Sequence, residues 1–281
     1  MVDTGLSKLS VGDAKRTCDG APAAAEPFDQ DRHARPAARA SRQTLVSVPG
    51  GSFRMGSEDR FAYPSDGEGP VHDVIVRPFL IDRYALSNDR FDAFATATAY
   101  VTDAERWGWS FVFGGLLADD FAPTRSVAQA PWWRQVEGAQ WRHPEGPQSD
   151  LEGRGDHPVV HVSHNDALAY CRWAGVRLPT EAEWEFAARG GLEGRAFPWG
   201  DELEPGGQHR MNVWQGDFPR RNTAADGYLG TAPVDAFPPN GYGQHNTTGN
   251  VWEWTADWFD PAGTASRPNR IRAGRDPVAD A

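Results

Sequence analysis

The stretch Arg177–Gly191, RLPTEAEWEFAARGG, carries the clearest folding instruction in the chain. Thr180 and Glu183 stand in T-x-x-E spacing. A threonine oxygen there can take the backbone N–H three residues on, while the glutamate reaches back, so a helix starts at Thr180. Gly190 supplies the C-cap that ends it. Working upstream, SHNDALAYCRWAG (163–175) reads as a second helix, with Ser163 as N-cap and Gly175 just past its end. PVVHV (158–162) before it reads as a buried strand. SNDRFDAFATATA (87–99) reads as a short helix capped by Ser87 or Asn88, with Phe91, Phe94 and Ala95 on one face. LVSVPGGSFRMGS (45–57) reads as a hairpin with a Pro-Gly-Gly turn. HDVIVRPFLIDRYALS (72–87) reads as two edge-like strands divided at Pro78.

Two long regions lack such periodicity. Residues 99–157 fit neither helix nor strand, yet the aromatics between Trp107 and Trp133 argue for a packed and ordered region. Beyond Pro198 the chain is rich in Gly, Pro, Asn and Trp, with few helix signals. Residues 1–43 mix Ala, Pro and charge with almost no apolar pattern and are expected to be a disordered leader. The folded part is expected over 44–281. The fold class is α+β, with short helices, much irregular backbone and no internal repeat.

Composition narrows the function. The chain has 281 residues and a formal net charge of −11. That balance argues against nucleic-acid binding and against a polybasic membrane surface. No stretch approaches the roughly 18 apolar residues that span a bilayer, and the first residues have no apolar core of a secretory signal. A cytoplasmic monomer is the expectation. The cysteines are Cys18 and Cys171, too few for a disulfide framework or a Cys-rich zinc site. The clustered His157, His161 and His164 show no metal-ligand spacing and read as ordinary polar or core histidines. Cys171, between Tyr170 and Arg172 on a helix, reads as a small buried hydrophobe. Oxygen donors are the better candidates. NVWQGDFPRRNTAADGY (212–228) offers Asn212, Asp226 and loop carbonyls, and HNTTGNVWEW (245–254) offers Asn246 and Glu253 around Gly249. Hard cations such as calcium take donors of this kind, although such loops are also common as solvated turns.

These segments, with VPGGSFRMGS, APWW, WRHPEGPQSD, FPWGDEL, NTAADGYLGTAPVDAFPPNGYG and TGNVWEWTADWF, resemble the formylglycine-generating enzymes, or sulfatase-modifying factors, over 45–260. The resemblance implies a single domain with little regular secondary structure, distantly like C-type lectins. It implies oxidation of the cysteine in a C-x-P-x-R segment of a sulfatase to formylglycine by molecular oxygen, with copper(I) held by two thiolates, soft ligands that suit that ion. It also implies structural calcium at two sites. The first is Asn212, the Val213 carbonyl, Asp226 and the Tyr228 carbonyl. The second is Asn246, the carbonyls of Gly249 and Val251, and Glu253. Trp252 is expected to line the substrate groove. His164 stands where the family commonly has Trp.

The match stops near Pro261. The family continues into a pair of cysteines four residues apart that hold the copper, and neither Cys18 nor Cys171 lies in such a motif. The tail AGTASRPNRIRAGRDPVADA is therefore expected to reflect a domain truncated at its C-terminus, with no copper pair and no oxidase activity. The alternative is a non-catalytic relative that binds a sulfatase or another peptide. Truncation is favoured because losing terminal strands uncovers core side chains, each contributing roughly 1.5–3 kcal/mol. An iron-dependent sulfoxide synthase ranks last, for want of a His-rich motif.

Overall fold

Local capping chemistry sets the helices in the computed structural model, which describes residues 44–59 and 67–258. The expected leader and the tail beyond 258 lie outside the described residues. Four α-helices form among the described residues: α1 (Asn88–Thr98), α2 (Asp103–Trp107), α3 (His164–Ala174) and α4 (Glu181–Ala188). Ser87 caps α1. Thr102, Ser163 and Thr180 each form a capping box with the acid three residues on. Gly175 ends α3 in the left-handed conformation, φ 68°. At the end of α4, Arg189 is the cap and Gly190, at φ 59°, turns the chain. Thr180→Ala removes one side of the α4 box. It is expected to cost about 1 kcal/mol, a fall of about 2–4 °C in Tm, checked by thermal unfolding.

The strands are short and scattered over small sheets. β1 (Leu45–Val48) pairs with β4 (Phe79–Asp82), and β2 (Gly51–Met55) pairs with β3 (His72–Val76), all antiparallel. The expected 45–57 hairpin is thus incorrect. Its two strands form, but each takes a partner from the 72–82 segment instead of its neighbour. The Pro49-Gly50-Gly51 corner sends β2 into a different sheet, and Gly50 sits against the Val76–Pro78 backbone at φ 68°, where a Cβ would collide. The expected strand at 158–162 is also absent. Only an isolated bridge, Ser87 to Pro158, remains. His161 adopts φ 57°, which breaks extended backbone. Its ring is held at both ends, Nδ1 to Ser110 Oγ at 2.8 Å and Nε2 to the Pro144 carbonyl at 2.8 Å.

The unassigned 99–157 region contains α2 and a three-stranded sheet, ordered β5–β7–β6, from β5 (Trp109–Phe113), β6 (Ser126–Val127) and β7 (Ala130–Glu137). It is packed and ordered, as its aromatics suggested. Beyond Pro198 no α-helix forms among the described residues, and the chain there adds a 3₁₀ turn (Pro205–Gly207) and β8 (Gly216–Asp217) paired with β9 (Arg221–Asn222).

Three apolar clusters hold these pieces. Phe91, Phe94 and Ala95 of α1 meet Ala169, Tyr170 and Ala174 of α3 around Trp141, which is fully buried. Phe91 and Trp141 meet edge to face at 5.1 Å, a geometry that aromatic quadrupoles favour. Val48, Phe53, Met55 and Val76 receive Phe186 and Ala187 of α4. Val112, Val136 and Ala139 lock β5 to β7. The result is a mixed α+β domain with modest regular structure.

Candidate functional site

Asn212 and Asp226 are both buried, at 8% and 9% exposure. The Asp226 carboxylate accepts from Val213 N–H at 3.0 Å and from Tyr228 N–H at 3.1 Å, drawing both ends of the 213–228 loop to one group. No Lys, Arg or His ion pair to Asp226 occurs among the described residues. A buried carboxylate without a counter-charge is costly unless it is well bonded or holds a cation. Asn212 spends its amide N–H groups on the Gly230 carbonyl at 2.8 Å and Asn250 Oδ1 at 3.1 Å. Its amide oxygen is then the end a cation would take.

The second donor group is similar in kind. Asn246, at φ 53°, donates to the Pro233 carbonyl at 3.0 Å, while its Oδ1 is buried without a hydrogen-bond partner. Glu253 keeps solvent-exposed surface as a residue, but its carboxyl end is enclosed by protein. The surroundings of the acid itself set its ionisation. Desolvation pushes it up to about 7, the Trp184 indole hydrogen bond pulls the other way, and Asp82 adds to the rise. A buried amide oxygen without a partner and a desolvated acid are each donors of the kind a hard cation takes. No group of three or more His, Cys, Asp or Glu suited to a metal occurs among the described residues, so any cation here depends on amide and carbonyl oxygens.

The structure brings the two groups together through a residue the sequence reading missed. Asn250 donates its backbone N–H to the Asn212 carbonyl at 2.8 Å, and its Oδ1 accepts from Asn212 and from Ala232 N–H at 2.8 Å. Gly249, at φ 77°, packs on Asn212 so closely that a Cβ would strike the Asn212 carbonyl oxygen and crowd Val213. Val213, Tyr228 and Val251 lie on these same two loops. Trp252 stands apart, with its side chain fully exposed. The segment after it docks on the start of α4, with Ala256 N–H to the Pro179 carbonyl at 2.8 Å and Glu181 N–H to Asp257 Oδ2 at 2.7 Å.

A second missed feature is an aromatic cleft of about 410 Å³, lined among others by Phe113, Leu117, Phe121, Trp132 and Pro219. Behind it Phe113 contacts Trp214 at 5.4 Å and Phe218 at 6.0 Å, and Trp132 contacts Phe218 at 5.0 Å between ring centroids. The rings come from three separate segments, and the adjacent tryptophans of APWW were the available signal.

The histidines are accounted for structurally. His157 bonds Thr231 at 2.9 Å, and burial holds the His157 and His161 rings below the usual imidazole range. His164 lies edge-on to Trp254 at 5.6 Å. Cys171 is buried on α3, and burial pushes its thiol up to about 11 against a small opposing pull from Arg172.

The family described as "Sulfatase-modifying factor enzyme 1-like domain" matches residues 30–277. The chain belongs to this family. The sulfatase-modifying factor match begins within the expected leader and extends past residue 260. Among its relatives is a formylglycine-generating enzyme of Thermomonospora curvata, 60% identical over 230 residues, covering 81% of this chain and 76% of that protein. Another is the inactive C-alpha-formylglycine-generating enzyme 2 of Bos taurus, 49% identical over 221 residues, covering 78% of this chain and 72% of that protein. Among solved structures, PvdO from Pseudomonas aeruginosa is similar, with a TM-score of 0.53 and 30% identity over 77% of this chain and 71% of that one. No helix among the described residues is long and apolar enough to cross a membrane.

Proposed function

We propose that this polypeptide engages the cysteine-bearing C-x-P-x-R segment of a sulfatase, and that these 281 residues do not themselves carry the copper-dependent oxidation. The observation behind the second half is the cysteine inventory. Copper(I) in this family calls for two thiolates, and the chain holds Cys18 and Cys171 alone. Cys171 is enclosed on a helix with a thiol held protonated at neutral pH, and Cys18 lies outside the described residues. Such a set does not fit copper(I), so no oxidative step is derived through it.

The first half rests on the identity to enzymes of that name and on the cleft. Aromatic faces accept proline, whose extended segments lose little conformational freedom on docking, and the target motif contains one. Calcium is the cation proposed for the two oxygen-donor loops, with a structural role. It would brace irregular segments that have no strand ladder of their own. A monomer in the cytoplasm is the accompanying expectation.

Titrating a labelled C-x-P-x-R peptide into the chain and into a Trp132→Ala variant tests the docking reading. Saturable binding that weakens about tenfold in the variant is expected, the loss typical of a buried aromatic anchor. A well-folded chain with no affinity for the peptide removes the idea.

A further inference from the structure

The hairpin 214–222 is weakly self-supporting. β8 and β9 pair over two residues each, and isolated hairpins even longer than this are marginal in water. Two other things hold it. At its root, Asp226 ties Val213 and Tyr228, and Thr223 N–H reaches the Gln215 carbonyl at 2.7 Å. Trp214, at the root, lies against Phe113, and Phe218, at the tip, lies against Phe113, Trp132 and Trp214, while Pro219 lines the aromatic cleft. The root residues are the first donor group, with Trp214 next in sequence to Val213. One short segment therefore joins a cation-type donor set at one end to a wall of the cleft at the other.

We propose that the 214–222 hairpin is a cation-set wall of the aromatic cleft: occupancy at Asn212, Val213, Asp226 and Tyr228 fixes the hairpin root, and this presses Trp214 and Phe218 onto Phe113 and Trp132. The donor set and the cleft are then coupled sites. Coupling free energy is reciprocal, so loosening the ring contacts must weaken the cation to the same degree that the cation tightens the rings. This inference rests on the calcium reading above, and the experiment separates the two.

Calcium chloride is titrated into the purified full chain by calorimetry, and backbone hydrogen exchange of residues 214–223 is followed with and without it. Calcium is expected to slow exchange across 214–223. Phe218→Ala, which touches no donor and alters a ring that is 47% exposed, is expected to lower calcium affinity roughly five- to tenfold, within the usual range of coupling. Phe218→Leu retains apolar bulk and should fall between the variant and the parent, which guards against a folding artefact. Leu203→Ala, at an exposed apolar residue outside the hairpin, should leave affinity unchanged. Calcium binding that is equal in Phe218→Ala and the parent, with unaltered exchange at 214–223, overturns the coupling and leaves the calcium reading intact. Absence of any calcium binding overturns both.

Discussion

Incubated with copper, oxygen and a C-x-P-x-R peptide, the 281-residue chain is expected to leave the peptide cysteine unconverted. The physical reason is the state of its thiols. Copper(I) is selected by soft thiolate ligands, and the thiolate, not the thiol, is the ligand. With its pKa raised to about 11, Cys171 is ionised to roughly one part in ten thousand at pH 7. It is also buried within α3, away from solvent. The remaining cysteine, Cys18, lies outside the described residues, and the sequence holds no third thiol. The expected loss is therefore complete. Aldehyde capture with an aminooxy probe followed by mass spectrometry reads the outcome directly, and a captured product from the pure chain contradicts it. Cys171→Ser should behave like the parent in the same assay.

The second large effect is thermal. Calcium added at one hundred times its Kd should stabilise the chain by about 2.7 kcal/mol for a single site, an increase of about 5–10 °C in Tm for a domain of this size. A chelator should reverse it. The effect also has a pH sense. In the cation-free chain, Glu253 has its pKa raised from its ordinary value near 4.5 to about 7. A raised carboxylic pKa means the folded form holds the proton more tightly than the unfolded one. That contribution to stability is full below the ordinary value and is lost as pH rises through about 7. Calcium must displace this proton, so the calcium-induced rise in Tm should be larger at pH 8 than at pH 5. Differential scanning calorimetry at both values checks it; an equal rise at the two pH values would remove Glu253 from the donor set.

Much of the fold was legible where the signal is local. The helices at 163–175 and 180–190 rest on side chains that bond backbone groups three residues away, and these contacts need nothing from the rest of the chain. Strand pairing is another matter. Pro49-Gly50-Gly51 does mark a corner, but a corner does not choose partners, and β1 and β2 pair across about 17 to 37 residues with the segment from His72 to Asp82. The 158–162 stretch has strand composition, yet His161 is held in a left-handed conformation by Ser110 and Pro144, contacts 51 and 17 residues distant. In 130–137 the alternation of exposure is present, but the outward positions carry Trp133 and Pro131, so the hydrophobic pattern alone hides the strand.

The candidate site divides the same way. Asn212, Asp226, Asn246 and Glu253 announce themselves as oxygen donors in glycine-bearing loops. Asn250 does not, because its importance comes from a conformation at φ 61° that lets one amide bridge Asn212 and Ala232. The aromatic cleft was hidden because Phe113, Trp132 and Phe218 are neighbours only after folding. Together these features describe a domain with two oxygen-donor loops and an aromatic-walled cleft, to which the proposed reading assigns calcium and a sulfatase segment.

The most direct test of that description is a titration of the calcium-loaded chain with a fluorescent C-x-P-x-R peptide, using a scrambled peptide of the same composition as the reference and probing the final mixture for aldehyde. Saturable binding selective for the intact motif, with no aldehyde in the mixture, is the predicted result. Equal affinity for the scrambled peptide, or aldehyde formed from the intact one, contradicts the account.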